Sequence, residues 1–133
     1  MQLKKLDSFV NARRTNADYF SKLISGLGDF RLQREIGESS WFGFSLVLEG
    51  KLKGHRSHLI ELLDSAGIES RPIVTGNFTR NPVIKHLDCA RISSMPVADD
   101  IHDNGFFVGN HHFNLTKEID LLTQVLYDFS RRY

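Results

Sequence analysis

The chain has 133 residues, a net charge of +1 and a hydrophobic fraction of 41%, values that are ordinary for one soluble domain with one core. A charge so near zero creates no long-range field that would attract nucleic acid or an anionic membrane. The single cysteine, Cys89, excludes an intrachain disulfide and a cysteine-based metal site. Without a membrane-length apolar run or a signal-peptide core, we expect a cytoplasmic protein.

The first predicted element is one long helix over residues 2–27. Gly26 and Gly28 supply its expected C-terminal stop. A helix of about 25 residues is about 38 Å long, so part of its apolar face is expected to pack on something outside the chain. Arg13 is the one polar member of that face. With Arg13 included, the members of the face recur at spacings of three and four residues. The apolar ones are Leu3, Leu6, Val10, Ala17, Phe20, Ile24 and Leu27.

Residues 28–133 predict an α+β body that completes a single domain over residues 1–133. Aromatic and β-branched residues make 41–48 the strongest strand, expected to pair antiparallel with 30–36. Gly43 leaves room there for another backbone or a ligand. This order predicts a short, mainly antiparallel sheet with helices mainly on one face. The other predicted elements are helices at 55–66, 95–103 and 115–133, a helical turn at 81–87, and strands at 68–74 and 106–109.

Charged and amide groups are concentrated in residues 68–80, IESRPIVTGNFTR. Gly76 permits a backbone turn that a side chain would obstruct. Arg71 and Arg80 offer planar donor forks and Asn77 offers an amide, a set that suits an anionic or hydroxyl-rich ligand. The alternative is an edge strand whose arginines are merely solvated.

The sequence lacks the common catalytic motifs. It contains no glycine-rich nucleotide loop and no Gly-x-Ser-x-Gly motif. His55 and His58 lie three residues apart, but we expect no metal site there. The adjacent pair His111 and His112 would face opposite ways in a strand, so at least one is expected to reach a cleft. Ser39 and Ser40, which precede Trp41, either form a turn or offer a hydroxyl to a ligand.

Four blocks together resemble a known family. They are SSWFGF at 39–44, GIESRP at 67–72, GNFTRNP at 76–82 and NGFFVG at 104–109. In this order they resemble the C-terminal domain of the DegT/DnrJ/EryC1/StrS aminotransferases, sugar-modifying enzymes that use pyridoxal phosphate (PLP). Within that family they resemble the nucleotide-sugar 3-dehydratases. The resemblance implies the small domain of a fold-type-I PLP-dependent enzyme.

The resemblance also implies a function for a longer protein. The full-length enzyme would remove the C3 hydroxyl of a GDP- or CDP-linked 4-keto-6-deoxyhexose on the way to lipopolysaccharide O-antigen dideoxysugars. It would bind PLP or pyridoxamine phosphate (PMP) and form a homodimer. The cofactor-binding large domain, with its lysine or histidine, is expected outside these 133 residues. The chain alone is therefore expected to bind no cofactor and to be inactive.

The residues that the resemblance assigns are substrate-binding residues. It assigns no catalytic, cofactor-binding or metal-binding residue within the chain. A sugar 4-aminotransferase of the perosamine type is the alternative within the family, and a stand-alone ligand-binding α+β module is the alternative outside it. A nucleic-acid-binding sheet would need a basic surface and aromatic-glycine motifs that the sequence lacks. The implied substrate-binding residues are Glu69, Arg71, Asn77 and Arg80, with Ser40 and Trp41 at the edge of the pocket.

Overall fold

A computed structural model describes residues 2–88 and 94–133. The single cysteine, Cys89, lies outside the described residues. Short 3-10 turns occupy Gln2–Lys5, Gly50–Leu52, Phe78–Arg80 and Pro82–His86. The helices are α1 (Leu6–Ile24), α2 (Arg56–Ser65), α3 (Pro96–Asn104) and α4 (Thr116–Ser130). The strands are β1 (Phe30–Leu32), β2 (Gly43–Leu48), β3 (Ser70–Arg71) and β4 (Gly105–Gly109).

The strands form one antiparallel sheet in the order β1-β2-β4-β3. The two central strands, β2 and β4, pair over five residues, with Phe44 opposite Val108 and Leu46 opposite Phe106. The predicted pairing of the first two strands is confirmed, because Phe30 lies opposite Leu48. The predicted α+β class with an antiparallel sheet is also confirmed.

Alternate strand residues build the core on one face of the sheet. Phe44, Leu46 and Phe106 are at most 1% exposed, and burying each side chain contributes about 1.5–3 kcal/mol. Helices α1, α2 and α4 cover this face, as predicted. They contribute Ala17, Phe20, Ile24, Leu59, Leu63, Ile119, Leu122, Leu126 and Phe129 to the same cluster.

The opposite face of the sheet meets α3. Arg31 projects from β1 away from the core, and its guanidinium donates to Asp100 of α3 at 3.2 Å. Lys53 donates to the same carboxylate at 2.9 Å. Together with a bond from Asn104, the Lys53 contact lowers the pKa of Asp100 below its ordinary value. Polar contacts, rather than a second apolar core, therefore hold α3.

The predicted helix over residues 2–27 is wrong at both ends. Leu3 and Leu6 are 83% and 51% exposed, so the start of the apolar face has no packing to hold it, and the first turn is 3-10 rather than α. At the other end, Leu27 donates its backbone N–H to Ile24 in a closing turn. None of the helices among the described residues is both long and apolar enough to cross a membrane.

Three predicted strands are shorter in the structure, two of them because of local backbone geometry. The strand expected over 68–74 is only Ser70–Arg71, since Pro72 has no N–H to donate and Val74 has a left-handed φ of 51°. The strand expected over 41–48 begins only at Gly43, because Trp41 also has a left-handed φ, of 49°. The strand expected over 30–36 ends at Leu32.

Candidate functional site

A cleft of about 1070 Å³ opens at the β3 edge of the sheet, a size that suits a drug-sized or larger ligand. The ends of β2 and β4, the chain after α2, one side of α4 and one residue of α1 line it. Its walls are mainly apolar, and Phe42 and Phe107 stack on each other with ring centroids 5.7 Å apart. The charged or titratable residues that line it are Arg13, Glu69, Arg71, His111 and Glu118.

Gly43 leaves room for another group, as its position in a strand suggested, and that group is the side chain of Phe107 rather than a ligand. A side chain at Gly43 would collide with the ring of Phe107 and the carbonyl of Val108. The missing Cβ therefore lets the ring of Phe107 lie across β2, where it forms part of the cleft wall.

Two of the six predicted substrate-binding residues line this cleft. Arg71 lies opposite Phe107 in the register, so the two side chains share the face of the sheet that does not meet the core. Arg71 Nε and Nη2 donate to Glu69 Oε1 at 3.0 and 2.6 Å. Both side chains are more than two-thirds exposed, so solvent screens the pair and a ligand can reach it.

Asn77 is buried and its amide bonds within the protein. It is 4% exposed, and its Oδ1 accepts from the backbone N–H and hydroxyl of Thr79 at 3.0 and 2.7 Å. Its Nδ2 donates to Asp99 at 2.8 Å, and its backbone N–H donates to His102 Nδ1 at 3.1 Å. Asn77 does not line the cleft but fixes residues 72–80, which we name the rim loop, to α3.

The predicted turn at Gly76 is confirmed, and its cause is visible. Gly76 has a φ of 63°, and a Cβ there would collide with the imidazole of His102. Val74, two residues earlier, has a similar left-handed φ, which is costly for a β-branched residue. The rim loop is thus held in a strained shape between β3 and α3.

Arg80 also contacts α3 rather than the cleft. Its Nη1 donates to Asp103 at 2.7 Å and lies 3.6 Å from Asp99. The bond to Asp103 is the main cause that raises the pKa of Arg80 above its ordinary value. The guanidinium is therefore already paired in the described structure.

Ser40 and Trp41 lie before β2 and do not line the cleft themselves, but Trp41 directly precedes Phe42, which does. Trp41 is 8% exposed and its carbonyl accepts from Asn110 at 2.8 Å. The neighbouring Ser39 accepts the backbone N–H of Trp41 on its hydroxyl at 3.0 Å, so the turn role is the one observed for Ser39. Ser40 is half-buried.

Sequence reasoning missed an amide pair that joins α1 to the sheet beside the cleft. Asn16 donates to Asn110 Oδ1 at 3.0 Å, and Asn110 Nδ2 donates to the carbonyls of Arg13 and Trp41 at 2.9 and 2.8 Å. Asn16 is buried on α1 together with Ala17 and Phe20. A signal that could have found it is its spacing of four residues from Phe20, which places an amide among the apolar residues of the helix.

One member of the pair His111 and His112 reaches the cleft, as expected, but the pair does not lie in a strand: β4 ends at Gly109, and the two ring centroids lie 4.2 Å apart. His111 lines the cleft, whereas His112 stacks on Phe9 with centroids 3.8 Å apart. Burial, followed by the charges of His111, Arg13 and Lys5, lowers the pKa of His112 below its ordinary 6.5. Within residues 2–88 and 94–133, no group of three or more His, Cys, Asp or Glu side chains is arranged to hold a metal ion.

The described residues of the cleft do not fit a covalently held PLP. None of the residues that line it is a lysine. Lys51 donates to the carbonyl of Ser130 at 2.9 Å. Lys53 donates to Asp100, and that bond raises its pKa, whereas an amine that attacks the cofactor aldehyde must be neutral.

Comparisons with known proteins agree with this architecture. The chain is 47% identical over 126 residues to GDP-4-keto-6-deoxy-D-mannose 3-dehydratase of Escherichia coli O55:H7. The aligned region covers 94% of this chain and 32% of that protein. The chain is 45% identical, with the same shares, to the protein of the same name from Yersinia pseudotuberculosis. The chain thus spans about a third of the length of these curated relatives.

A solved structure gives the same match in three dimensions. GDP-4-keto-6-deoxymannose-3-dehydratase with bound GDP-perosamine superposes with a TM-score of 0.88 at 46% identity, over 94% of this chain and 33% of that one. The E. coli enzyme, solved with hydrated PLP, gives the same TM-score. The model of the DegT/DnrJ/EryC1/StrS aminotransferase family matches residues 1–124. The chain belongs to the DegT/DnrJ/EryC1/StrS aminotransferase family.

Proposed function

We propose that this chain forms part of a PLP- or PMP-dependent GDP-4-keto-6-deoxy-D-mannose 3-dehydratase and supplies one wall of its sugar-nucleotide cleft. The observation that carries the proposal is the 47% identity to the E. coli enzyme over 94% of the chain. A GDP-linked substrate is favoured over a CDP-linked one because both relatives at 45–47% identity are named for a GDP-sugar.

Glu69 and Arg71 are the proposed ligand contacts. Both line the cleft and both are largely exposed. The guanidinium of Arg71 can donate two parallel bonds to phosphate or sugar oxygens, while the carboxylate of Glu69 can accept from sugar hydroxyls or a nucleobase N–H. Their mutual contact orients both groups before the ligand arrives, which reduces the entropy lost on binding.

The other four residues have indirect roles in this proposal. Asn77 and Arg80 act as positioning residues that hold the rim loop against α3. Trp41 and Ser40 shape the edge of the pocket, where the carbonyl of Trp41 anchors Asn110, a cleft residue. The substrate would thus bind to side chains whose positions are fixed by hydrogen bonds from these supporting residues.

The cofactor belongs to the complete enzyme in this proposal. When bound, PLP or PMP supplies the electron sink that allows the C3 hydroxyl to leave, and this chain binds and orients the sugar nucleotide beside it. We expect the chain alone to show no saturable cofactor absorbance after incubation with PLP. A band that saturates near one equivalent would contradict this. The complete enzyme is proposed to be a cytoplasmic homodimer.

A chimeric enzyme tests the function directly. The C-terminal third of the E. coli dehydratase is replaced by this chain, and the same enzyme without its C-terminal third is the control. We expect the chimera to remove the C3 hydroxyl of GDP-4-keto-6-deoxy-D-mannose and the control to be inactive. A folded, cofactor-loaded chimera without turnover contradicts the proposal. Formation of a 4-amino sugar would instead assign the chain to an aminotransferase.

A further inference from the structure

Arg13 interrupts the apolar face of α1 at the cleft. It lies three and four residues before Asn16 and Ala17, both buried, so it projects from the same side of the helix. An arginine at such a position needs a reason, because placing a guanidinium where its neighbours pack into a core costs solvation. Arg13 is also the only residue of α1 that lines the cleft.

The surroundings of this guanidinium satisfy it only in part. Its central carbon lies 5.7 Å from the ring centroid of Phe42, a cation–π distance. Its Nε is buried and has no hydrogen-bond partner. Among residues 2–88 and 94–133, no carboxylate lies within ion-pair distance of it. A buried donor without an acceptor is costly and calls for an explanation.

The adjacent arginine provides an internal contrast. Arg14 Nε donates to the carbonyl of Ser39 at 2.9 Å, and its Nη2 lies 3.8 Å from Glu38. Arg14 therefore fastens α1 to the segment before β2. Arg13 is the preceding residue of the same helix, but its Nε has no acceptor among the described residues, and its side chain borders the cleft.

We propose that Arg13 is a ligand-binding residue that receives an anionic phosphate group of the molecule in the cleft. An incoming phosphate offers the acceptors that the described residues do not provide, and bonds from a guanidinium to phosphate are of the strong, charge-assisted kind. The exposed ring of Phe42 holds the guanidinium from the other side. The identity of this ligand as a sugar nucleotide rests on the proposed function; the anion site does not.

Binding of three simple probes to the purified chain tests the site. Pyrophosphate, GDP and guanosine are titrated by NMR into the native chain, Arg13→Gln, Arg13→Lys and the control Arg14→Gln. We expect Arg13→Gln to weaken pyrophosphate and GDP binding about 10- to 150-fold and to leave guanosine unchanged. Arg13→Lys should restore part of the loss, and Arg14→Gln should keep the native affinity for all three probes.

Several outcomes overturn the inference. Equal affinities of the native chain and Arg13→Gln for pyrophosphate do so, as does the absence of any phosphate-dependent binding by the native chain. A loss in Arg13→Gln that is matched by Arg14→Gln would indicate damage to α1 rather than a lost ligand contact, and also contradicts it. The failure of the proposed function has a separate signature, because an inactive chimera leaves Arg13-dependent pyrophosphate binding intact.

Discussion

The core face of the sheet and the rim loop are built by different forces. On the core face, apolar side chains from three helices interdigitate with alternate strand residues, and Leu46, Leu126 and Phe106 are fully buried. The rim loop contributes almost nothing to this cluster. Side-chain and backbone hydrogen bonds to Asp99 and His102 of α3 hold it instead.

This difference explains where a binding site can lie in the domain. Apolar packing is non-directional and tolerates changes of shape that preserve volume. Hydrogen bonds fix both distance and direction, so they can hold a loop in a strained conformation at the edge of a cleft. The core face gives the domain its stability, while the rim loop and β3 give the cleft its geometry.

The largest effect should come from a cavity in the core. Leu126→Ala should lower the free energy of unfolding by about 2–5 kcal/mol, since its side chain is completely buried. Leu121, on the same helix, is 46% exposed, and Leu121→Ala should change stability by less than about 0.5 kcal/mol. Urea unfolding measures both. Equal losses would mean that α4 does not separate a core face from a cleft face.

The next effect should come from the rim loop. Asn77→Ala removes the cap on Thr79 and leaves Asp99 without its amide donor, which should cost about 1–3 kcal/mol. Thermal unfolding gives the stability, and amide exchange at residues 76–80 shows where protection is lost. Asn114→Ala is a matched control, because Asn114 Oδ1 accepts the backbone N–H of Thr116 in an equivalent bond at an exposed site. If the Asn114 variant loses as much stability, burial of Asn77 has no special role.

A smaller, pH-dependent effect should come from His112. Its pKa is lowered in the folded state, so the unfolded state binds the proton more readily and stability falls as the pH drops through the ordinary value of 6.5. Urea midpoints measured from about pH 7.5 to about pH 5.5 should fall less for His112→Gln than for the native chain. An unchanged slope would mean that other groups cause the acid sensitivity.

The smallest stability change should come from Arg80→Ala. Its partners Asp99 and Asp103 are themselves about half exposed, and exposed ion pairs contribute little because solvent screens them. The melting temperature should fall less than for Asn77→Ala. A larger fall would show that the charge pair, rather than the buried amide, is the main anchor of the rim loop.

Apolar periodicity predicted the core face well. Aromatic and β-branched residues at 41–48 indicated β2, which begins two residues later at Gly43, and the helix expected at 55–66 is α2, Arg56–Ser65. The motif blocks also led to the family, now matched over residues 1–124. These features are visible because each depends on local spacing along the chain.

The cleft could be predicted only in part. Periodicity suggested a long strand over 68–74, but the left-handed backbone of Val74 depends on how the rim loop meets His102, 25 or more residues away in sequence. Likewise, charge alone did not distinguish Arg71, which faces the cleft, from Arg80, which pairs with Asp103. Arg13 was visible as an anomaly in the first helix, but its environment required the fold.

The affinity of the chimera for GDP-perosamine, measured for Arg71→Ala and Arg80→Ala alongside their melting temperatures, tests the central claim most directly. If Arg71 contacts the ligand across the cleft, its loss should weaken binding about 10- to 150-fold with little change in melting temperature. Arg80→Ala should have a much smaller effect on affinity, because its guanidinium is paired with α3. Native affinity in Arg71→Ala, accompanied by a clear loss of stability, would contradict the assignment of this cleft to the sugar nucleotide.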